Sequence, residues 1–239
     1  MQYKKIIAFG DSFTRGDELA NCSTKGTHNP YFVFSTDTWP ALLAKKLGIG
    51  YDCIALGGRG NQWISWAVQQ CPEHYIDCLF IVNWTYFGRF DYVDCKDEWQ
   101  TMSPNSNKNV SHEYYKTFDN DIWNLNRNIQ IMYATLHLLK ENSIDYIFTC
   151  QDAGVKQTID TLRSEYVLNN QTTWRKSISS LSKPIVSNIT DFEGLTFREW
   201  ADKHDYPVGP GGHPLEKAHA EAAKYINTNV IEGMTNEHR

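Results

Sequence analysis

The chain contains 239 residues, a length that suits one domain or at most two. Apolar residues make up 41% and charged residues 21%, as in ordinary globular proteins, and the net charge is −5. No segment is strongly basic, so nucleic-acid binding is not expected. No run of about 18 apolar residues is present, and the sequence therefore predicts no membrane span. Aromatic residues are frequent, at 13%, which suits a core or a site that stacks on flat ligands or sugars.

The N-terminal residues and the cysteines bear on cellular location. Residues 1–5 run directly into an apolar segment, without the basic start and apolar stretch of a signal peptide, which favours a cytoplasmic location. A chain whose leader had been removed would look the same, so the compartment stays open. The six cysteines form no CxxC pair. We therefore expect free thiols, no zinc site, and no metal or organic cofactor.

Short apolar segments alternate with helical patterns along the chain. The segments with the character of buried strands are residues 4–9, 51–56, 78–82 and 144–149. The helical patterns cover residues 38–47, 63–70, 121–140 and 214–226. We expect a surface excursion over residues 91–120, of which 91–112 are polar and irregular, and short helices and loops over 157–198.

This alternation predicts an α/β fold, a three-layer α/β/α sandwich around a central parallel sheet, formed by residues 1–239 as a single domain. Ligands of such sheets bind at the carboxyl ends of the strands. The loops at residues 10–16, 57–61 and 83–89 each follow a predicted strand. We therefore expect these three loops to share one edge of the sheet and to form the site.

The first of these loops carries the strongest chemical signal. It lies within the segment FGDSFTRGDEL, residues 9–19, where Ser12 follows a strand and enters a helix. A serine in that position presents its hydroxyl above the sheet, and its own N–H can help to bind an oxyanion. The alternative is that Ser12 only caps the helix, because Gly-Asp-Ser is ordinary turn chemistry.

The C-terminal segment supplies a candidate base. It reads GPGGHPLEKAHAEAAKYI, residues 209–226, and His213 stands in a glycine-rich loop with Pro214 opening the following helix. A histidine in such a loop is free to point into a site. His219 falls inside the helix and is interpreted as a packing or surface residue.

Taken together, the motifs resemble those of the SGNH (GDSL-like) hydrolase superfamily, and most closely the SGNH proteins of phage and metagenomic sequences. The matching features, in chain order, are GDSFTxGxEL at Gly10 to Leu19, Trp39-Pro40, the block Ala55, Gly58 and Asn61, the segment Trp84, Thr85 and Arg89, and GHP at Gly212 to Pro214. The resemblance spans nearly the whole chain. It implies a flavodoxin-like SGNH fold and hydrolysis of carboxylic esters through an acyl-enzyme, without a cofactor.

The resemblance also assigns roles to individual positions. The nucleophile of the family falls on Ser12 and its base on His213. The oxyanion hole falls on the N–H groups of Ser12 and Gly58, with Gly57 and Gly60 as alternatives for the second donor.

Two departures from the family pattern stay open. The third block is usually GxND, whereas this chain has Asn83-Trp84-Thr85, so the remaining oxyanion donor is either the Asn83 amide or the Thr85 hydroxyl. Asn83 is preferred, because an amide N–H reaches further, although it could also merely satisfy backbone groups at a strand end. The second departure concerns the acid that usually stands three residues before the base, because Pro210 occupies that position here.

The missing acid leads us to expect a Ser-His dyad. The His213 ring nitrogen facing away from Ser12 would then meet a backbone carbonyl or water, and Asp205 or Asp202 would reach it only by folding back. Asp11 is expected to point away from substrate and to bind loop N–H groups. Arg89 either braces the third loop or binds an anionic group of the substrate.

Two classes of function fit these features. The first is an esterase acting on a small-molecule or glycan ester, including carbohydrate O-acetyl groups. The second is a catalytically weakened SGNH-fold binding or structural protein, which the missing acid and the altered third block favour. A lipase is disfavoured because no apolar lid-like segment is evident. The oligomeric state is left open.

Overall fold

A computed structural model describes residues 3–22, 33–71, 77–106, 109–118, 120–153 and 173–237. The predicted short helices and loops at 157–198 therefore fall partly outside the described residues. The strands within the described part of the chain are β1 (Lys5–Gly10), β2 (Gly50–Ala55), β3 (Cys78–Trp84), β4 (Phe90–Val93), β5 (Trp99–Met102) and β6 (Asp145–Cys150).

The helices in the same ranges lie between and after the strands. They are α1 (Ser12–Arg15), α2 (Trp39–Leu47), α3 (Asn61–Gln69), α4 (Asn109–Phe118), α5 (Asp121–Glu141), α6 (Thr173–Val186), α7 (Phe197–Lys203), α8 (Glu216–Ile226) and α9 (Glu232–Glu237). A π-helical turn, Asn227–Ile231, joins the last two. Each of these helices is too short or too polar to span a bilayer.

Four parallel strands form the central sheet, in the order β2-β1-β3-β6. Ile189 adds one parallel bridge beside Phe148, at the position of a fifth strand. This order is that of flavodoxin-like folds. The α/β class and the parallel sheet predicted from the sequence are thus confirmed.

The apolar residues of β1 alternate between the two faces of the sheet, which explains why helices cover both. Ile7 and Phe9 pack into one cluster with side chains of α3 and α5. Ile6 and Ala8 face the other side, among side chains of α2 and α8. Each fully buried isoleucine contributes roughly 1.5–3 kcal/mol, so both helical layers are held to the sheet by its central strand.

The longest helix follows its sequence pattern closely. Asn120 caps α5 by accepting a hydrogen bond from the Trp123 N–H at 3.0 Å. Leu125, Ile129 and Leu136 lie on one stripe and are at most 2% exposed. The predicted helix at 121–140 is therefore present, one residue longer at its C-terminal end.

The described residues of the segment expected to be irregular, 91–106 and 109–112, contain regular secondary structure instead. Strands β4 and β5 pair as an antiparallel hairpin, and α4 follows. The buried carboxylate of Asp91 accepts hydrogen bonds from the backbone N–H groups of Gly60 and Trp63, both at 2.9 Å, and from the Thr101 hydroxyl at 2.6 Å. The hairpin is thus fastened to the start of α3 by one side chain, a long-range contact that composition alone cannot reveal.

The cysteines agree with the sequence expectation. All six lie in the described part of the chain, and none forms a disulfide. Burial raises the pKa of the Cys53 and Cys150 thiols to about 12, so both are held in the protonated form at neutral pH. Within the described ranges, no cluster of three or more His, Cys, Asp or Glu side chains is arranged to hold a metal ion.

Candidate active site

Ser12 lies at the carboxyl end of β1, where the strand turns sharply into α1. Asp11 is the N-cap, and its Oδ1 accepts a hydrogen bond from the Phe13 N–H at 3.1 Å. Gly16 ends the turn in the left-handed region, with φ of 85°, and its N–H donates to the Ser12 carbonyl at 2.9 Å. Ser12 is therefore the first helical residue rather than the cap, and its backbone N–H has no intrahelical partner.

His213 comes to the same edge from the other end of the chain. Its ring packs against that of Phe13, the residue after Ser12, with the ring centroids 4.8 Å apart. In the described part of the chain, no hydrogen bond joins the Ser12 hydroxyl to the His213 ring. Catalytic hydrogen bonds often tighten only when substrate is bound, so this geometry is compatible with a nucleophile and its base.

The partner of the His213 ring is Glu18, a residue to which the sequence analysis gave no role. Nδ1 of His213 lies 2.7 Å from Oε2 of Glu18, and the side chains are only 17% and 23% exposed. The Gly211 N–H donates to Oε1 at 2.7 Å. This backbone hydrogen bond, aided by the His213 ring, holds the pKa of the Glu18 carboxyl below its usual range.

The expectation that a backbone carbonyl, water or Asp205 meets the His213 ring is therefore wrong. Asp205 is exposed, in the left-handed region with φ of 53°, and makes no side-chain contact with His213 in the described structure. Asp202 pairs with Arg198 at 2.8 Å. The carboxylate beside the His213 ring thus belongs to the first loop and not to the residues just upstream of the histidine.

The loop after β2 presents Gly58 to solvent. The Arg59 N–H donates to the Leu56 carbonyl, which closes a tight turn, and Gly58 has φ of 77° within it. A side chain is disfavoured at that φ, which accounts for the glycine. The alternative donor Gly60 is excluded in this arrangement, because its N–H is bound to Asp91.

Gly57, the other alternative, stands against the first loop. A Cβ there would lie 2.9 Å from both Nη2 of Arg15 and Oδ2 of Asp17. The close approach of the first two loops therefore depends on this glycine. Gly58 is left as the exposed glycine that best fits the second oxyanion position.

The third loop does not offer Thr85 as an oxyanion donor. Thr85 is fully buried, and its hydroxyl donates to Oδ2 of Asp11 at 2.7 Å. A hydroxyl has a single proton, so none remains for a substrate oxygen. The Thr85 hydroxyl is therefore no longer a candidate for the oxyanion donor of the third block.

The side-chain amide of Asn83 has hydrogen-bond partners at both its nitrogen and its oxygen. Its Nδ2 donates to the Thr14 hydroxyl at 3.1 Å, and its Oδ1 accepts from Thr149 and Gln151 at 2.9 and 3.2 Å. The side chain is 2% exposed. An amide nitrogen carries two protons, and one is engaged here, so Asn83 remains the better candidate of the two.

Arg89 and Asp11 connect the first and third loops. Nη1 of Arg89 lies 2.8 Å from Oδ2 of Asp11, 2.7 Å from the Thr85 hydroxyl and 2.9 Å from the Arg59 carbonyl. Asp11 is fully buried, and the Arg89 side chain is 16% exposed. A guanidinium so engaged favours the bracing role of Arg89 over contact with an anionic substrate group. The Arg89 guanidinium also lies 5.3 Å from the ring centroid of Tyr86, a half-exposed residue of the third loop.

His219 lies one turn into α8 and is separate from this site. It is 1% exposed, and its Nδ1 accepts a hydrogen bond from the Trp39 N–H at 3.0 Å. Burial lowers the pKa of its imidazole to about 3. His219 is thus a neutral packing residue that ties α8 to the start of α2.

The low pKa of His219 makes the fold sensitive to acid. In the unfolded chain the ring binds a proton below about pH 6.5, whereas the folded ring stays neutral down to about pH 3. Stability is therefore lost as the pH falls through this window. Between pH 7 and pH 5 the group should lower the free energy of unfolding by about 2 kcal/mol.

Urea unfolding at the two pH values checks this expectation. His219→Gln keeps an acceptor for the Trp39 N–H and does not titrate. Its free energy of unfolding should therefore fall between pH 7 and pH 5 by about 2 kcal/mol less than that of the parent protein. His137→Gln, at an exposed site on α5, is the control and should leave the loss unchanged. Equal losses in the parent and in His219→Gln would contradict a neutral buried ring.

Three solved structures with a similar architecture are described as esterases. The psychrotrophic esterase EstA from Pseudoalteromonas sp. matches with a TM-score of 0.50 and 11% identity, over 97% of this chain and 99% of that one. A family two carbohydrate esterase from Clostridium thermocellum, solved in complex with cellohexaose, matches with a TM-score of 0.50 and 11% identity, over 97% and 65%. A further carbohydrate esterase, described as having divergent catalytic and non-catalytic binding functions, matches with a TM-score of 0.51 and 16% identity, over 96% and 65%.

These likenesses define the fold. No protein-family model and no curated protein sequence matches the chain. The chain shares the α/β/α fold of these esterases. This chain spans slightly less than two thirds of the carbohydrate esterases but nearly all of EstA.

Proposed function

We propose that the protein is a serine hydrolase that cleaves carboxylic esters through an acyl-enzyme on Ser12. The observation that carries the proposal is the meeting of the two ends of the chain at one edge of the sheet. The first helical residue after β1 is a serine, and a histidine held at 2.7 Å by a carboxylate packs on the residue beside it.

The reaction proceeds in two halves. His213 takes the proton of the Ser12 hydroxyl as Oγ bonds to the ester carbonyl carbon, and the bond to the leaving alcohol breaks as His213 returns that proton to the alcohol oxygen. Water then attacks the acyl-enzyme, with His213 accepting its proton and passing it to Oγ as the acid departs. The N–H groups of Ser12 and Gly58, with the Asn83 amide as the third candidate, stabilise the oxyanion in both halves.

Carbohydrate O-acetyl esters are the substrate class that we favour. Trp66 is 40% exposed, and its ring centroid is 5.6 Å from that of Trp99. Arg59 in the second loop donates to the Trp99 carbonyl at 2.6 Å, so this aromatic pair stands beside that loop. Exposed indole faces suit the apolar faces of sugars. The folds of carbohydrate esterases, one of them solved with cellohexaose, support the same class.

A binding or structural role is the second candidate, and the third loop favours it. Asn83 and Thr85 are both engaged in internal hydrogen bonds, so the oxyanion donor of the third block is weakened. The absence of an acid at position 210 no longer supports this candidate, because Glu18 meets the His213 ring.

Turnover of model esters separates the candidates. We expect hydrolysis of p-nitrophenyl acetate and release of acetate from acetylated xylo-oligosaccharides. Trp66→Ala should raise KM for the oligosaccharide about 10-fold, because roughly 1.4 kcal/mol of stacking is lost. KM for p-nitrophenyl acetate should stay within twofold of the parent value. Trp123→Ala, at an exposed tryptophan of α5, is the control. A folded protein that turns over neither ester would favour the binding role.

A further inference from the structure

We propose that Glu18 is the positioning residue of a Ser12–His213–Glu18 triad, contributed by the loop that carries the nucleophile. The inference rests on the proposed function of Ser12 and His213. It assigns a role to a residue 195 positions from the histidine that it contacts. It also replaces the dyad that the proline at position 210 suggests.

The hydrogen bonds around Glu18 fix the direction of proton donation. Oε1 accepts from the Gly211 N–H at 2.7 Å, and Oε2 accepts from the His213 backbone N–H at 3.2 Å. A carboxylate with both oxygens receiving N–H groups is ionised and has no proton to give. The bond of 2.7 Å to Nδ1 therefore has the ring as donor. Nε2 is left with its lone pair, the tautomer that can accept the Ser12 proton.

The local backbone is shaped around this carboxylate. Glu18 itself is in the left-handed region, with φ of 69°, a conformation that costs a non-glycine residue of order 1 kcal/mol. A Cβ at Gly209 would lie 2.7 Å from the Glu18 carboxyl carbon, and one at Gly211 would lie 2.9 Å from Oε2. The glycines of the GPGGHP segment thus leave the space that the Glu18 side chain fills.

The residues after Glu18 anchor the loop in place. Leu19 is 2% exposed, and the Ala20 N–H donates to Oε1 of Glu216 at 3.0 Å. The first loop is therefore fastened to the start of α8, immediately beyond His213. A side chain held from both sides in this way presents its carboxylate in one position.

Other charged groups near the pair do not compete with Glu18. Arg198 approaches Gly212, with Nη1 3.1 Å from the position of a Cβ there, but its Nε is bound to Asp202. His219 faces His213 from α8 and is neutral above about pH 3. Glu18 is therefore the carboxylate that contacts the His213 ring in the described structure.

Kinetics of Glu18→Gln test the proposal. Glutamine fills the same space but removes the charge and can hold the ring in the wrong tautomer, so kcat for p-nitrophenyl acetate should fall by about 10²–10⁴-fold. Glu18→Asp should restore part of the rate. Glu221→Gln, at a surface carboxylate of α8 that pairs with Lys224, should stay within a few-fold of the parent.

An NMR measurement keeps the proposal testable without turnover. The ¹⁵N shifts of the His213 ring at pH 8 should report a proton on Nδ1 in the parent and a mixture of tautomers in Glu18→Gln. If the parent hydrolyses no ester, the proposed function fails, while this measurement still decides the pairing. A Glu18→Gln protein with kcat within a few-fold of the parent, or with unchanged ring shifts, would overturn the role of Glu18.

Discussion

Ser12→Ala is expected to lower kcat for p-nitrophenyl acetate by at least about 10³-fold. Removal of the hydroxyl deletes the atom that forms the acyl-enzyme, and what remains is stabilisation by the oxyanion donors and binding. The variant should fold normally, because the hydroxyl of Ser12 caps nothing and the cap is Asp11. Initial rates of p-nitrophenol release and thermal unfolding measure the two effects.

Ser65→Ala is the matched control for this substitution. Ser65 is also a buried serine, but it lies on α3, where its hydroxyl meets that of Thr135 at 2.8 Å. Its replacement should cost about 1 kcal/mol of stability and leave kcat unchanged. Retention of the full rate by a folded Ser12→Ala protein would remove Ser12 from the mechanism.

His213→Ala should have an effect of similar size, about 10³-fold or more on kcat. The ring is the base for attack and the acid for departure of the alcohol, so its loss affects both halves of the reaction. Imidazole added to the solution should restore part of the rate, because the variant leaves space between Phe13 and Glu18 where the ring stood. The rate is measured against imidazole concentration.

His204→Ala controls for the loss of a histidine as such. His204 is on the surface, 3.3 Å from Glu193, and does not contact the first loop in the described structure. Its replacement should change neither kcat nor the response to imidazole. A parent-like rate for His213→Ala would show that the base lies elsewhere.

The sequence predicted those features that depend on local pattern. β1 and β3 are recognisable because nearly every residue in them is apolar, as central parallel strands require. α5 is recognisable from its apolar stripe, and α2 from Pro40 near its start and Gly48 at its end. Ser12 was located because a polar turn directly follows one of these strands.

Features that depend on contacts between distant segments could not be read in this way. Glu18 belongs to the motif GDSFTRGDEL. Its pairing with His213, however, requires a left-handed backbone at Glu18 itself and two glycines, Gly209 and Gly211, that lie far along the chain. The Thr85 hydroxyl was a candidate donor until its bond to Asp11 was visible. The hairpin of β4 and β5 was missed because the contacts that secure it, among them those of the buried Asp91 carboxylate, join distant segments.

The central claim is that Ser12 is a nucleophile activated by the chain itself, and covalent labelling tests it most directly. The folded protein is incubated with a fluorophosphonate at neutral pH and digested, and the modified residue is located by mass spectrometry. The account predicts one phosphonyl adduct per chain, on Ser12, and its absence from Ser12→Ala. Failure of the folded parent protein to be labelled, or an adduct on a different residue, would contradict the account.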